Sequence, residues 1–461
     1  MKLTLVQPCI GRRPGQPYIR SWQMEPLPPA TLAGLTPHEV QVAFYDDRME
    51  DIPYDEPTDL AAISVETYTA RRAYQIASEF RRRGVPVVMG GFHATLCPEE
   101  VSRFADGVVI GEAENTWETV LADAQRGALA TYYQTSEPAH LAKVRPRRDI
   151  YQGKRYLPIS LVEAGRGCAY HCDFCSIQVF FHNTQRFRPF DQILSDIQSM
   201  RRRPLIFFVD DNIIAHPEHA KEFLRQLIPL KIRWVSQASI NVAYDEELLQ
   251  LMARSGCQGV LIGFESLNPA NLKLMKKGFN QMKGGYKQAL ANLRRYNIRL
   301  YITFLFGYDE DTLDSFGETA RFAIQHGFYL AAFNHITPFP GTPLYQRLIS
   351  EKRLLYEAWW LDDRYQYNQV PFQPLRMSPE QVQRGCIEAR TQFFSWNSIF
   401  RRSLDSTARA DPLMWLAFYW INAMFHREVS PRIGYPLGDE SWRGDLIPVR
   451  QHPEPFVPMA N

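Results

Sequence analysis

From residue 158 onward, six strand-like runs (159–164, 205–209, 233–239, 259–264, 300–305 and 329–335) alternate with helical stretches at 192–201, 217–228, 246–255, 286–296 and 313–326. Three cysteines, Cys168, Cys172 and Cys175, follow the first run directly. An alternation this long has few solutions. Right-handed crossovers make successive strands parallel, and a parallel sheet needs helices over its faces. Residues 158–345 are therefore expected to form a partial (β/α)6 barrel of the TIM type. In such barrels the reactive groups sit in loops that leave the carboxyl ends of the strands.

A shorter series precedes it. Strand-like runs at 2–6, 40–45, 60–65, 85–89 and 107–110, with helices at 70–83 and 99–105, predict an α/β, Rossmann-like domain over residues 1–125. Residues 126–157 show no clean period and read as a linker, while 346–461 read as a mainly helical C-terminal region with an irregular, proline-containing tail. With 52 basic and 50 acidic residues the net charge is +2, which gives no reason to expect a nucleic-acid partner. The first residues lack the apolar core and cleavage site of a signal peptide, and the longest nearly apolar stretch, 412–425, falls short of the roughly 20 residues that cross a bilayer. A cytoplasmic protein is expected, at most peripheral at a membrane. Seven cysteines with three clustered suggest a metal site in a reducing compartment rather than a disulfide framework.

The segment Gly165-Arg-Gly-Cys168-Ala-Tyr-His-Cys172-Asp-Phe-Cys175 stands where this architecture puts its chemistry. Three thiolates at this spacing can hold three corners of a 4Fe-4S cluster and leave one iron open. A structural zinc would demand a fourth ligand, and His171, adjacent to Cys172, is poorly placed to supply it. Cys9, Cys97, Cys257 and Cys386 are scattered and read as buried small hydrophobes. Cys168-x3-Cys172-x2-Cys175, with Phe174 before the last cysteine, resembles the signature of the radical S-adenosylmethionine (SAM) superfamily. The resemblance implies an open iron that chelates the methionine part of SAM and an electron, from a donor such as flavodoxin or ferredoxin, that releases a 5'-deoxyadenosyl radical. It also implies that Phe174 lies against the adenine. Asp210 and Asn212, ending the second barrel strand, are implied at the methionine amino group, with Asp211 an equal alternative to Asp210. Glu265 and Ser266 end the fourth strand and are implied at the ribose or methionine part, and Gly307 is implied near the adenine. The bland reading of the acids is a solvated loop or a helix cap. No catalytic side chain is singled out.

A Rossmann-like domain ahead of such a barrel is similar to the cobalamin-binding subclass of that superfamily. The stretches 26–37, Phe44-Tyr-Asp46-Asp47, Met89-Gly90-Gly91-Phe92-His93 and Ile110-Gly111-Glu112-Ala-Glu114 look like its successive strand ends. Gly90, Gly91 and Gly111 would let a flat macrocycle lie against backbone, and His93 is a polar contact candidate, with a structural role beside the glycine turn as the commoner alternative. The chain departs from other cobalamin proteins in having no Asp-x-His-x-x-Gly in this domain. What the resemblance implies is cobalamin-dependent methylation of an unactivated carbon in a small hydrophobic substrate. Cyclisation or rearrangement without methyl transfer is the competing enzyme reading, and an iron–sulfur module with a structural or electron-transfer role is the non-enzymatic one. The apolar stretch 412–425 reads first as a buried helix and second as one touching a hydrophobic ligand or a membrane. Nearby Arg401, Arg402 and Arg409 read either as contacts for anionic groups or as a solvated face.

Overall fold

The computed structural model describes residues 1–200, 204–452 and 455–459, so that the expected helix end at Arg201 lies outside the described residues. The first sheet consists of β1 (Lys2–Gln7), β2 (Gln41–Asp46), β3 (Leu60–Ser64), β4 (Val87–Gly90), β5 (Gly107–Val109) and β6 (Tyr132–Tyr133). Its order is β2-β1-β3-β4-β5-β6 and every pairing is parallel. Alternation within the strands sorts side chains to two cores. Leu3, Leu5, Leu60 and Ala62 face the helices Leu27–Leu35 and Trp117–Arg126, while Ala61, Ile63, Val87 and Met89 face Ala70–Arg82. A sheet covered on both sides is the Rossmann-like arrangement expected, and the order in which its strands follow one another switches between β1 and β3.

The second sheet holds β7 (Ser160–Val162), β8 (Ile206–Phe208), β9 (Trp234–Gln237), β10 (Cys257–Glu265), β11 (Arg299–Phe306) and β12 (Leu330–His335). They pair in parallel and in sequence order, leaving β7 and β12 at the two edges of a partial barrel. Its core is aromatic: Phe304 lies between Phe333 and Phe264, with centroids 5.6 and 6.1 Å away, and Phe208 packs on Trp234 at 5.8 Å.

Three regions differ from expectation. Residues read as linker supply β6 to the first sheet, and Arg148 bonds to Asp196 of the barrel at 3.1 Å. The C-terminal region carries helices Pro379–Phe393, Trp396–Ser403 and Pro412–Glu428, yet Trp359 and Trp360 sit in a core of the first domain. The tail also returns there, with Gly438–Asp439 pairing to Gly11–Arg12 and Trp442 Nε1 donating to Glu79 at 2.8 Å. Helix Pro412–Glu428 is not a buried helix: only Met414, Phe418, Asn422 and Glu428 are buried, because a single face meets the barrel. Conversely Arg402, expected either at an anionic group or on a solvated face, is 1% exposed.

Arg402 stitches the C-terminal helices to the barrel. Its guanidinium donates to the carbonyls of Phe328 (2.9 Å), Tyr329 (3.3 Å) and Phe393 (3.0 Å) and to Asn422 Oδ1 (3.0 Å), stacked 3.8 Å over the Phe393 ring. Burial without a carboxylate partner pulls its pKa down to about 9. Arg402→Met strands those acceptors, and a loss of about 2–4 kcal/mol is expected in urea unfolding, with an unchanged slope.

Candidate functional site

After β7 the chain forms a two-stranded antiparallel ribbon, Gly165–Gly167 against Gln185–Phe187, with Arg186 opposite Arg166. The ribbon folds the cysteine loop and its short helix, Ser176–Phe180, back over the strand ends. Gly167 is required here. Its φ is +85°, and a Cβ would lie 2.0 Å from the Thr184 carbonyl oxygen.

Cys172 is buried, while Cys168 and Cys175 are partly exposed. Burial pushes Cys172 up to about 12 and Cys175 up to about 11, and each thiol also feels the charge of Cys168. Burial raises all three thiols, and the charge of Cys168 adds to the shift at Cys172 and Cys175, so a positively charged centre would be needed to hold them as thiolates. The donor chemistry fits an iron–sulfur cluster.

Strand ends bracket the loop. Glu265 closes β10 at φ +60°, an uncommon backbone for a side chain of this size, and points its Oε1 at Lys277 Nζ, 2.6 Å away. Its other oxygen takes a 3.3 Å hydrogen bond from Thr303. Burial alone would lower the Lys277 pKa; Glu265 and the thiols of Cys172 and Cys175 hold it up. The structure thus brings Glu265 and a lysine not anticipated from sequence to the face of Cys172. Asn212 bonds to Cys168, and its Oδ1 accepts from the Ser239 N–H at 3.2 Å. Phe174 is half-buried against the barrel core.

Other expected residues lie differently. Asp210 is turned inward, accepting from the Ala164 N–H at 3.1 Å, and burial beside Glu163 and Asp211 pushes it up to about 8. Asp211 accepts from the Gly167 N–H at 2.8 Å and faces the cavity described below. Ser266 Oγ is used locally, accepting from the Asn268 N–H at 3.0 Å. Gly307 donates to Asp311 at 2.9 Å and looks toward Phe372 of the C-terminal region.

The carboxyl edges of the two sheets face each other across a cavity of about 310 Å³. Gly90, Gly91 and Gly111 line one wall; Glu163, Arg166 and Asp211 line the other. Phe92 of the first domain stacks on Phe180 of the cysteine loop at 4.4 Å. A Cβ on Gly111 would meet nothing within 4 Å, so this edge presents bare backbone to open space, and Gly91, at φ +104°, would put a Cβ 2.9 Å from the Val65 carbonyl oxygen. Such a glycine edge fits a flat macrocycle such as cobalamin. His93 does not belong to it. The ring is 0% exposed, bonded to Glu100 at 3.0 Å and packed on Trp360, because the helix after Gly91 turns it into the core.

Arg166 joins the walls. It pairs with Glu112 (2.8 Å) and Glu114 (2.6 Å) of the first domain and with Glu163 (2.7 Å), while Arg186 pairs with Glu112 at 2.7 Å. Burial would raise the pKa of Glu112, but Arg186 and Arg166 overcome it and hold the group below its usual range. A depressed carboxyl gives stability that is present above its unfolded value, about 4.3, and lost as pH falls. Arg166→Met leaves these carboxylates facing one another, and a loss of about 3–5 kcal/mol is expected at neutral pH. The deficit against the native protein should shrink toward pH 4, where protonation relieves the crowding; thermal melts across that range check both sign and size.

The Radical SAM superfamily profile matches residues 162–323. Bacteriochlorophyllide d C-12(1)-methyltransferase of Chlorobaculum tepidum is 30% identical over 421 residues, covering 88% of this chain and 90% of that one. Bacteriochlorophyllide d C-8(2)-methyltransferase of the same organism is 27% identical, covering 81% and 86%. The chain shares its fold with the radical S-adenosylmethionine methyltransferase TsrM from Kitasatospora setae, solved with cobalamin and an iron–sulfur cluster, at a TM-score of 0.59, 16% identity, and 93% and 99% coverage. Strand order, cysteine loop and overall likeness agree: the chain is an enzyme of the radical SAM superfamily, in the subclass that carries a cobalamin-binding domain ahead of the barrel.

Proposed function

We propose that this enzyme methylates an unactivated carbon of a hydrophobic, tetrapyrrole-like small molecule, using a 4Fe-4S cluster on Cys168, Cys172 and Cys175, SAM and cobalamin. The observation that carries the reading is the single cavity shared by the glycine edge of the first domain and the cysteine-bearing edge of the barrel. Reductive cleavage of SAM at the cluster supplies a hydrogen-abstracting radical, and cobalamin supplies the methyl group. The chain's own residues bind and shield. Glu265, Lys277 and Asn212 all act on the thiols and would orient the charged end of SAM. Gly90, Gly91 and Gly111 would seat the corrin ring. Phe92, Phe180 and Phe181 make the cavity's apolar flank and would keep water from a reactive intermediate.

Two relatives named for bacteriochlorophyllide methylation support the substrate class. A reducing cytoplasm with a flavodoxin- or ferredoxin-type donor suits the cluster, and peripheral contact with a membrane would keep the enzyme near a hydrophobic substrate.

Protein purified without oxygen should retain a corrinoid and transfer label from methyl-labelled SAM to a chlorophyllide-type acceptor. SAM cleavage with neither corrinoid nor label transfer would leave cyclisation or rearrangement in its place. Cys172→Ser should lose its iron and give no 5'-deoxyadenosine; full iron content in that variant would refute the ligand assignment.

A further inference from the structure

Helices Trp396–Ser403 and Pro412–Glu428 lie antiparallel. Trp415 Nε1 donates to the Ser403 carbonyl at 3.2 Å and Tyr419 bonds to Ser403 Oγ at 2.7 Å, while at the other end Trp396 meets His426 with centroids 5.1 Å apart. The inward side chains are Ile399, Arg402, Met414, Phe418 and Asn422. On the opposite side the spacing of four residues lines up Trp396, Phe400 and Leu404, and the second helix presents Leu413, Leu416 and Trp420. Their exposures run from 42% to 63%. One such side chain would be ordinary; six on a two-helix face form a patch that calls for an occupant.

Charge selects the occupant. Arg401, Arg409 and Arg427 are exposed on the same unit. Its two aspartates are engaged: Asp405 pairs with Arg294 at 3.1 Å and Asp411 with Arg233 at 3.6 Å, and each caps a helix N-terminus. The unpaired charge on this face is positive. We propose that the face docks on an anionic lipid bilayer, with Trp396, Phe400, Leu416 and Trp420 entering the headgroup boundary and the arginines meeting lipid phosphates. A twofold contact with a second copy would set arginine against arginine. No helix among the described residues is long and apolar enough to cross a membrane. Docking rests on the proposed hydrophobic substrate only for its purpose; the contact itself needs no cluster chemistry, so its test is independent of turnover.

Full-length protein is sedimented with vesicles of phosphatidylcholine alone or mixed with phosphatidylglycerol. Binding should favour the anionic vesicles and weaken with salt. The variant Phe400→Ser, Leu416→Ser, Trp420→Ser should bind about tenfold or more weakly. The variant Arg401→Gln, Arg409→Gln, Arg427→Gln should lose the preference for phosphatidylglycerol. Both should keep the native unfolding midpoint, since every altered side chain is exposed. Equal sedimentation of native protein and the serine variant, or no sedimentation of native protein, overturns the proposal. So does a native dimer on size exclusion that the serine substitutions dissolve.

Discussion

Arg166 carries one positive charge into a space bounded by Glu112, Glu114 and Glu163, and the two sheets meet across that contact. The carboxylates come from two domains and would repel one another in a buried setting; the guanidinium converts that repulsion into a shared fixed point. Because Arg166 sits two residues before Cys168, on a ribbon paired to Arg186, the first domain is anchored at the cysteine loop itself. The spacing between the glycine edge and the thiols is thereby set by short ion pairs rather than by a linker. For chemistry that must pass between two bound groups, a fixed separation matters more than affinity for either.

Backbone strain gathers at the same mouth. Glu265, Gly91 and Gly167 all have positive φ, and each lies at the carboxyl end of a strand or just beyond it. At Glu265 a side chain other than glycine is held there by Lys277 and Thr303, so its carboxylate is aimed before any ligand arrives. Behind the mouth the barrel strands pair in parallel over an interlocked aromatic core, which gives the strained loops a rigid frame.

Much of this was legible in one dimension. The strands declare themselves as short apolar, β-branched runs, and the cysteines follow one of them at a spacing few other sites use. Other features were illegible for physical reasons. Lys277 is one of two adjacent lysines that carry no motif, and only the fold turns it toward Cys172. Arg166 gives no sign of its two partners in the first domain, Glu112 and Glu114, which lie more than fifty residues upstream. Asp210 and Asp211 are neighbours on a chain whose side chains alternate, so one faces inward and the other the cavity. His93 follows a glycine turn that reads as a ligand contact, but Glu100, a helical turn or two onward, claims its ring. Helix Pro412–Glu428 is apolar nearly all round, which reads as burial; the barrel covers one side of it.

The closing strand pair between Gly438–Asp439 and Gly11–Arg12 joins nearly opposite ends of the chain, and Trp359 and Trp360 complete a core begun by residues before 110. A ribosome releases these pieces in order, so the first domain emerges long before the tryptophans and the tail that finish it. Its apolar face must wait, incomplete, through synthesis of the whole barrel. Translation that stops before Trp359 therefore leaves the first domain's core unfinished.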